Sequence, residues 1–416
     1  MALEHIRRLT CVQCGRHYGT EVTYTCPDCG LEGILDVDYD YELAARTLTR
    51  EALATRAPNH WRYREVLPID ARAQLPHLQV GWTPLYDAPR LAAQLGVKSL
   101  KLKDDGRNPT ASFKDRASSM GVVKAREAGK EIIACASTGN AASSLAGFSA
   151  AVGLKSFIFV PERAPEPKIA QLLIFGATVL RVKGNYDQAW QFCQSACEKY
   201  GWYNRNCAVN PYLVEGKKTV GLELGEQLSG DVPDWVVLSV GDGCTIAGAW
   251  KGLKEMHRLG FLPKLPRMLG VQAAGAAPLT AAFRSGEERL SPSGSDTLAD
   301  SIAVGVPRNW RKALRAIRES GGTMINVEDA EILEAMRTTA RLAGVFGEPA
   351  GAASVAGLGA AVRQGVVGRG ETAVCVITGN GLKDVKSAMQ AAAVPPIDLP
   401  PDLGMLETAL RERRLL

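Results

Sequence analysis

The sequence contains one lysine whose neighbours could make it a nucleophile. Lys114 lies in the segment Asn108–Arg116, which reads NPTASFKDR and leads into an Ala/Ser/Gly-rich stretch. Burial lowers the pKa of an amine, and the free amine can then form a Schiff base with a carbonyl compound. A charged surface residue at a helix start is the ordinary alternative for such a lysine. Other segments of the chain decide between the two.

A polar turn, Ser137-Thr138-Gly139-Asn140, follows a predicted strand and opens a predicted helix. The N–H groups at a helix N-terminus favour an anion, and Ser, Thr and Asn side chains add directed hydrogen bonds. The turn therefore predicts an anion-binding site, with an ordinary helix cap as the alternative.

Two more glycine-containing turns follow predicted strands later in the chain. Segment 241–245 reads GDGCT, and its backbone N–H groups could surround a phosphate. Its spacing is neither that of a dinucleotide site nor that of a P-loop, so a monophosphate fits it better. Segment 378–381 reads TGNG and places a hydroxyl where it could hydrogen-bond a heterocycle, although a tight turn is the alternative. The candidate cofactor ligands in these two turns are Gly241, Asp242, Gly243, Cys244, Thr245 and Thr378.

These four segments together predict a pyridoxal phosphate site. Such a site needs a lysine that forms an imine, a cradle for the cofactor's phosphate, and groups that tune its ring. Each segment alone is a weak signal, and their combination makes Lys114 a candidate catalytic residue.

Four cysteines near the N-terminus form two Cys-x-x-Cys pairs with eleven residues between the pairs. Four thiolates at this spacing suit a tetrahedral zinc ion, and they leave no coordination position open for catalysis. Reduced turns or disulfides are the alternatives. We predict a structural zinc ribbon whose ligands are Cys11, Cys14, Cys26 and Cys29. Residues 1–30 carry no basic patch, so no nucleic-acid partner is expected.

Composition is that of a globular protein of two or three domains, with 416 residues, 46% of them hydrophobic and 22% charged. The net charge of +5 does not indicate a nucleic-acid or membrane partner. No run of about 20 apolar residues predicts a membrane span, and the N-terminus does not resemble a signal peptide. We expect a cytoplasmic protein with a small-molecule substrate, in which the six remaining cysteines are reduced.

Short apolar strands alternate with helix-compatible segments from about residue 83 onward, which predicts parallel α/β sheets. The predicted strands are 100–103, 131–136, 156–160, 178–182, 235–240, 267–272, 322–327 and 373–377. The predicted helices are 41–55, 113–127, 140–152, 168–175, 186–199, 246–256 and 403–416.

The motifs resemble, in the same order, those of the threonine synthases, which are fold-type II pyridoxal phosphate enzymes. The resemblance runs over residues 10–390 and is carried by segments 109–116, 137–140, 241–245, 348–349 and 378–384. It implies a fold like that of the tryptophan synthase β subunit, with two parallel-sheet α/β domains and the cofactor between them. The implied units are a zinc ribbon at 1–35, a connecting helical region at 36–80, a large domain at 81–115 and 220–395, a small domain at 116–219, and a C-terminal helix at 396–416.

Roles for individual residues follow from this resemblance. Lys114 would form the internal aldimine and move protons at the Cα and Cβ of the substrate. Asn140 would hydrogen-bond the 3′-oxygen of the ring, and Thr378 its nitrogen. Ser137 and Thr138 would hold the substrate carboxylate. The other residues implied to line the site are Phe113, Glu348 and Asn210.

The sequence departs from the family pattern at three positions. A serine and an arginine commonly hold the substrate's phosphate in this family, and Ala208 and Leu213 stand in their places. A charge-assisted pair of contacts to a phosphate dianion is therefore missing. Lys168, Arg205, Lys217 and Lys218 are candidates to replace it. The third departure is Ala111, which replaces a glycine beside the lysine.

The resemblance implies conversion of O-phospho-L-homoserine and water to L-threonine and phosphate. The departures leave open a second activity, β-replacement or β-elimination on an O-phosphoserine-, serine- or threonine-like amino acid, as in cysteate synthase or threonine dehydratase. A third interpretation, a zinc-ribbon binding protein on an inactive enzyme fold, is disfavoured by the intact Lys114. We expect a homodimer.

Overall fold

The computed structural model describes residues 4–286 and 289–416 and contains three sheets. The smallest sheet comprises strands β1 (Ile6–Cys11), β2 (His17–Tyr18) and β3 (Leu35–Tyr39), in the order β2-β1-β3 with antiparallel pairing. It carries the cysteine pairs and continues to Tyr39, past the ribbon boundary predicted at residue 35.

The next segment differs from its prediction. Instead of one helix over 41–55, the chain forms α1 (Tyr41–Ala45) and α2 (Arg50–Thr55). The hydroxyl of Thr49 accepts a hydrogen bond from the N–H of Ala52 at 3.2 Å and so caps a new helix start. A 3₁₀ helix, His60–Val66, follows and buries Trp61 and several of its neighbours.

The remaining ten strands form two separate sheets of mainly parallel strands. In chain order they are β4 (Leu85–Asp87), β5 (Ser99–Asp104), β6 (Ile132–Ala136), β7 (Lys155–Pro161), β8 (Thr178–Val182), β9 (Tyr203–Asn204), β10 (Trp235–Ser239), β11 (Arg267–Ala273), β12 (Thr323–Val327) and β13 (Thr372–Ile377). The larger sheet has the order β12-β11-β10-β13-β5-β4 and the smaller one β8-β7-β6-β9. Only edge strand β4 runs antiparallel within the described residues of these two sheets. The predicted α/β class with parallel sheets is confirmed.

Helices separate and cover these strands, as a parallel sheet requires. They are α3 (Pro89–Leu95), α4 (Lys114–Glu127), α5 (Asn140–Val152), α6 (Glu166–Ile174), α7 (Tyr186–Tyr200), α8 (Tyr212–Gln227), α9 (Cys244–Arg258), α10 (Pro278–Ser285), α11 (Trp310–Glu319), α12 (Asp329–Ala343), α13 (Pro349–Arg363), α14 (Val385–Ala392) and α15 (Leu403–Glu412). The terminal helix α15 stops four residues before the predicted end, and its residues are exposed or half-buried. Among the described residues, no helix combines the length and apolar character that a membrane span requires.

Helices α4 and α8 connect the two parallel sheets, because the chain passes to the smaller sheet through α4 and returns through α8. The predicted domain boundaries at 115/116 and 219/220 fall inside these helices. The buried guanidinium of Arg116 on α4 bonds the carboxylate of Asp105, which follows β5, at 2.6 Å and that of Glu223 on α8 at 2.5 Å. One ion-pair cluster therefore holds both connections against the larger sheet.

Candidate active site

Lys114 is the first residue of α4, and the turn before it is closed by its own neighbours. The carboxylate of Asp115 accepts hydrogen bonds from the backbone N–H of Thr110 at 2.6 Å and from its hydroxyl at 2.5 Å. Inside this turn Ala111 has a φ of +62°. That left-handed conformation favours glycine, which explains in physical terms why related sequences have glycine here.

The turn around Ala111 is paired with the late threonine turn. The N–H of Phe113 donates to the carbonyl of Thr378 at 2.8 Å, and the N–H of Asn380 donates to the carbonyl of Ala111 at 3.0 Å. These contacts join residues more than 260 positions apart in the chain. The structure thus brings the predicted lysine and the predicted ring-facing threonine together, with Thr378 buried.

The amine of Lys114 is suited to act as a nucleophile. Burial lowers its pKa, and the nearby positive charge of Lys217 lowers it further. A larger fraction of the side chain is therefore the free amine near neutral pH than in an exposed lysine. Lys114 itself is half-buried and not sealed inside the protein.

Asn140 and Glu348 meet beside this lysine, although 208 positions separate them. The amide nitrogen of Asn140 donates to the two carboxylate oxygens of Glu348 at 2.8 and 2.9 Å, and to the hydroxyl of Ser301 at 3.2 Å. Burial raises the pKa of the Glu348 carboxyl. Sequence reasoning missed Ser301, which lies in the short 3₁₀ helix Asp300–Ile302, where the sequence has no recognisable motif.

A cleft of about 420 Å³ opens next to this pair, and Thr138, Asn140 and Glu348 line it. That volume lies within the range of about 300–1,000 Å³ that is typical of small-molecule sites. Ser137 and Thr138 are half-buried, and their anion-binding role stays a prediction. Lys383 also lines the cleft and donates to the hydroxyl of Ser143 at 3.0 Å. Lys383 belongs to the 378–384 motif, but the sequence alone predicts no role for it.

The glycine loop at 241–245 follows β10, and helix α9 begins within it at Cys244. Gly243 has a φ of +87°, and a Cβ atom added there would lie 2.7 Å from the Cβ of Ala313. The backbone at Gly243 therefore carries no side chain and lies close to Ala313. It stands at the start of a 15-residue helix, where N–H groups without an intrahelical partner favour the binding of a phosphate. Together with a lysine of lowered pKa, this cradle fits pyridoxal phosphate.

The two departures from the family pattern lie in the loop before α8 and at the second residue of that helix. Ala208 is buried with a φ of +65°, and Leu213 is fully buried against Gly121 of α4. Neither side chain can donate a hydrogen bond. Asn210 is also buried, and its amide bonds the carbonyl of Asn204 at 3.0 Å and the N–H of Tyr212 at 3.1 Å. Its predicted substrate contact stays a prediction.

The four N-terminal cysteines come together as predicted. Their sulfur atoms all lie within 4.8 Å of one another, and the group comprises Cys11, Cys14, Cys26 and Cys29. This all-thiol set is compatible with a structural zinc ion.

Comparisons with known proteins agree with this geometry. A family model described as "Pyridoxal-phosphate dependent enzyme" matches residues 77–379. The chain is 43% identical over 392 residues to a threonine synthase of Methanosarcina acetivorans, an alignment that covers 94% of this chain and 95% of that one. It is 41% identical over 405 residues to a threonine synthase of Methanocaldococcus jannaschii, with coverage of 97% and 99%. Among solved structures, threonine deaminase isoform 2 of Solanum lycopersicum aligns with a TM-score of 0.65 and 25% identity, over 76% of this chain and 88% of that one.

Proposed function

Because the chain belongs to the pyridoxal-phosphate dependent enzymes, and among them to the threonine synthases, we propose that it converts O-phospho-L-homoserine and water to L-threonine and phosphate. It is a lyase of threonine biosynthesis. The observation that carries the proposal is the pairing of the Lys114 turn with the Thr378 turn, 2.8 Å apart at their closest backbone contact. This pairing supports the proposal because it holds the backbone next to Lys114 against the residue expected to face the cofactor ring.

Each predicted residue has a defined task in this mechanism. Bound pyridoxal phosphate supplies an electron sink for charge that develops at the substrate's carbon atoms. The Lys114 amine, with its lowered pKa, accepts and returns protons at Cα and Cβ. The hydroxyls of Ser137 and Thr138 would hold the substrate carboxylate, and Asn140 would hydrogen-bond the 3′-oxygen of the cofactor ring. The glycine loop at 241–245 holds the cofactor's phosphate.

The reaction is tested by incubating the purified protein with O-phospho-L-homoserine and measuring both products. We expect equal amounts of threonine and inorganic phosphate. Phosphate release without threonine would contradict the proposal, because the phosphate would then leave without hydration at Cβ.

A second activity is supported by the apolar character of positions 208 and 213. Without the serine and arginine, the site has fewer groups for a substrate phosphate, and β-replacement or β-elimination on a serine- or threonine-like amino acid becomes the competing candidate. The same assay with O-phosphoserine, serine and threonine distinguishes the two. A 2-oxoacid product from serine or threonine, with no turnover of O-phospho-L-homoserine, would favour elimination.

We further propose a homodimer in the cytoplasm. The exposed apolar side chains of α15 support self-association, since Leu403 is 83% exposed. Free thiols throughout the described cysteines support a reducing compartment. Sedimentation of the full chain tests this proposal: we expect the mass of two chains, and deletion of residues 396–416 should reduce it to the mass of one chain if α15 forms the contact.

A further inference from the structure

Lys217 differs from the other buried lysines of the described chain in the partner of its ammonium group. Each of the others is within ion-pair distance of a carboxylate. Those pairs are Lys103 with Glu223, Lys124 with Glu127, Lys218 with Glu215 and Glu255, and Lys312 with Asp36. The ammonium of Lys217, only 1% exposed, has instead the sulfur of Cys207 at 3.1 Å. Within residues 4–286 and 289–416, no carboxylate lies in ion-pair distance of it.

The position of Lys217 links the lysine turn to the phosphate loop. After burial, the positive charge of Lys217 is the largest cause that lowers the pKa of Lys114. Its Cβ lies 3.1 Å from where a Cβ would stand on Gly248, in the second turn of α9. Its partner Cys207 contacts Cys244, at the start of that helix. Lys217 therefore lies near both the reactive amine and the N-terminus of α9.

A buried ammonium without a carboxylate is costly, because a thiol compensates its charge poorly unless the sulfur is ionised. A hydrogen bond with Cys244 and then the positive charge of Lys217 lower the pKa of Cys207 despite its burial, and the resulting thiolate supplies that compensation. A phosphate dianion would compensate the ammonium better, through charge-assisted hydrogen bonds.

The other candidates for this task are already engaged. Lys218 is fully buried between two carboxylates, and Lys168 pairs with Asp300 at 2.6 Å at the rim of the cleft. Arg205 is buried and donates to the hydroxyl of Ser118 at 3.1 Å. Two of its three guanidinium nitrogens, Nε and Nη2, are directed to Ser118 on α4, and its charge contributes to the same region.

We propose that Lys217 binds a phosphate monoester dianion in this site. Where that phosphate is the substrate's, Lys217 takes the place of the serine and arginine that are absent at positions 208 and 213. Before a phosphate binds, the thiolate of Cys207 is the counter-ion of the Lys217 ammonium. The inference rests on the proposed function in one respect, that the site receives a phosphorylated cofactor and a phosphorylated amino acid. Either of these supplies the same chemistry, and the experiment separates them.

The test uses the holoenzyme and its Lys217→Met and Lys217→Gln variants. Methionine keeps the volume of the side chain without its charge, so it protects the fold if glutamine does not. Lys254→Gln is the matched control, since Lys254 lies on α9 and pairs with Glu319 on the surface. Two quantities are measured: cofactor retained after gel filtration, and the rate at which iodoacetamide alkylates Cys207 as inorganic phosphate is added, followed by peptide mass spectrometry.

If Lys217 holds the substrate's phosphate, inorganic phosphate slows alkylation of Cys207 in the unmodified holoenzyme, because the thiolate loses its counter-ion and takes up a proton. Without this counter-ion, Cys207 of the Lys217 variants is alkylated about tenfold more slowly before any phosphate is added, and phosphate then changes the rate little. If Lys217 holds the cofactor's phosphate, phosphate gives no protection and the variants lose cofactor about tenfold more readily.

Variants that keep the cofactor and the phosphate protection of the Lys254→Gln control would overturn the proposal. So would an unmodified holoenzyme without protection, together with a Lys217→Met variant that keeps its cofactor. Neither readout uses turnover. If O-phospho-L-homoserine is not converted while Lys217-dependent protection persists, the proposed function fails and the phosphate site stands.

Discussion

The N–H of Phe113 donates a hydrogen bond to the carbonyl of Thr378 at 2.8 Å, which fixes the start of α4 against the end of β13. The residue that precedes the reactive lysine is thereby held by the residue expected to contact the cofactor ring. Because this bond joins backbone atoms, its geometry does not depend on either side chain. The lysine is thus oriented by the larger sheet, from which β13 comes.

Replacing Lys114 by alanine should abolish the cofactor's covalent attachment and lower turnover by about 10²–10⁴-fold, the range for losing a positioned proton-transfer group. The visible absorbance band of the bound cofactor should disappear after dialysis. Lys254→Gln, a matched loss of one lysine at the surface, should keep both. A Lys114→Ala protein that retains the band would show that another amine forms the linkage.

Ala111→Gly should raise the free energy of unfolding by up to about 1 kcal/mol, because it removes a Cβ from a left-handed backbone conformation at φ +62°. The matched control is Ala117→Gly in the interior of α4, where glycine should instead lower stability by about 1 kcal/mol or more. Chemical denaturation of the three proteins measures both. Equal losses in the two variants would mean that position 111 carries no backbone strain.

Acid should destabilise the protein through His60. Burial, followed by the charge of Arg116, lowers the pKa of His60 from 6.5 to about 3. The unfolded chain takes up this proton as the pH falls below 6.5, whereas the folded chain does so only near pH 3, so stability is complete above pH 6.5 and is lost between these values. The expected contribution is a loss of about 2 kcal/mol between pH 7 and pH 5.

Comparison with His60→Gln isolates this effect, since every other titrating group is shared. The difference in unfolding free energy between the two proteins should change by about 2 kcal/mol from pH 7 to pH 5 and stay constant from pH 7 to pH 8. A difference that stays constant across the acid range would show that His60 has the same pKa in the folded and the unfolded protein.

Zinc removal should destabilise the ribbon without altering the reaction. A chelator, or Cys14→Ser, should lower the melting temperature and release about one zinc per chain, because the bound metal contributes directly to folding. Cys197→Ser, outside the four-thiol group, should retain the metal. The cofactor content of the protein that remains folded should be unchanged. Loss of turnover with fold and cofactor intact would assign the metal a catalytic role.

Local patterns were sufficient to predict most of the elements. Helix α5 and strand β8 have the predicted bounds. The glycine residues that flank α5 and the short apolar run of β8 are signals carried by residues close in sequence. The predicted helix over 41–55 was wrong because the side chain of Thr49 starts a new helix, and helical periodicity alone does not show such a break. The four-thiol group was predictable because its spacing is local.

Contacts between distant segments were not predictable in the same way. The bond between Asn140 and Glu348 depends on how the two sheets face each other, and no local pattern encodes it. Ser301 is a third partner in that contact and lies in the three-residue 3₁₀ helix Asp300–Ile302. Lys217 was one of four possible replacements in the sequence, and only the partners of each cation separate it from the others.

The ion pairs of Arg116 with Asp105 and Glu223 have a mechanical consequence. The smaller sheet is an insertion with two covalent connections to the larger one, and two separate connections would allow it to twist and shear. Here a single guanidinium holds both at the same point, so the two connections act as one joint. Lys114 lies two residues from Arg116, so the reactive lysine is anchored at the same point as both connections.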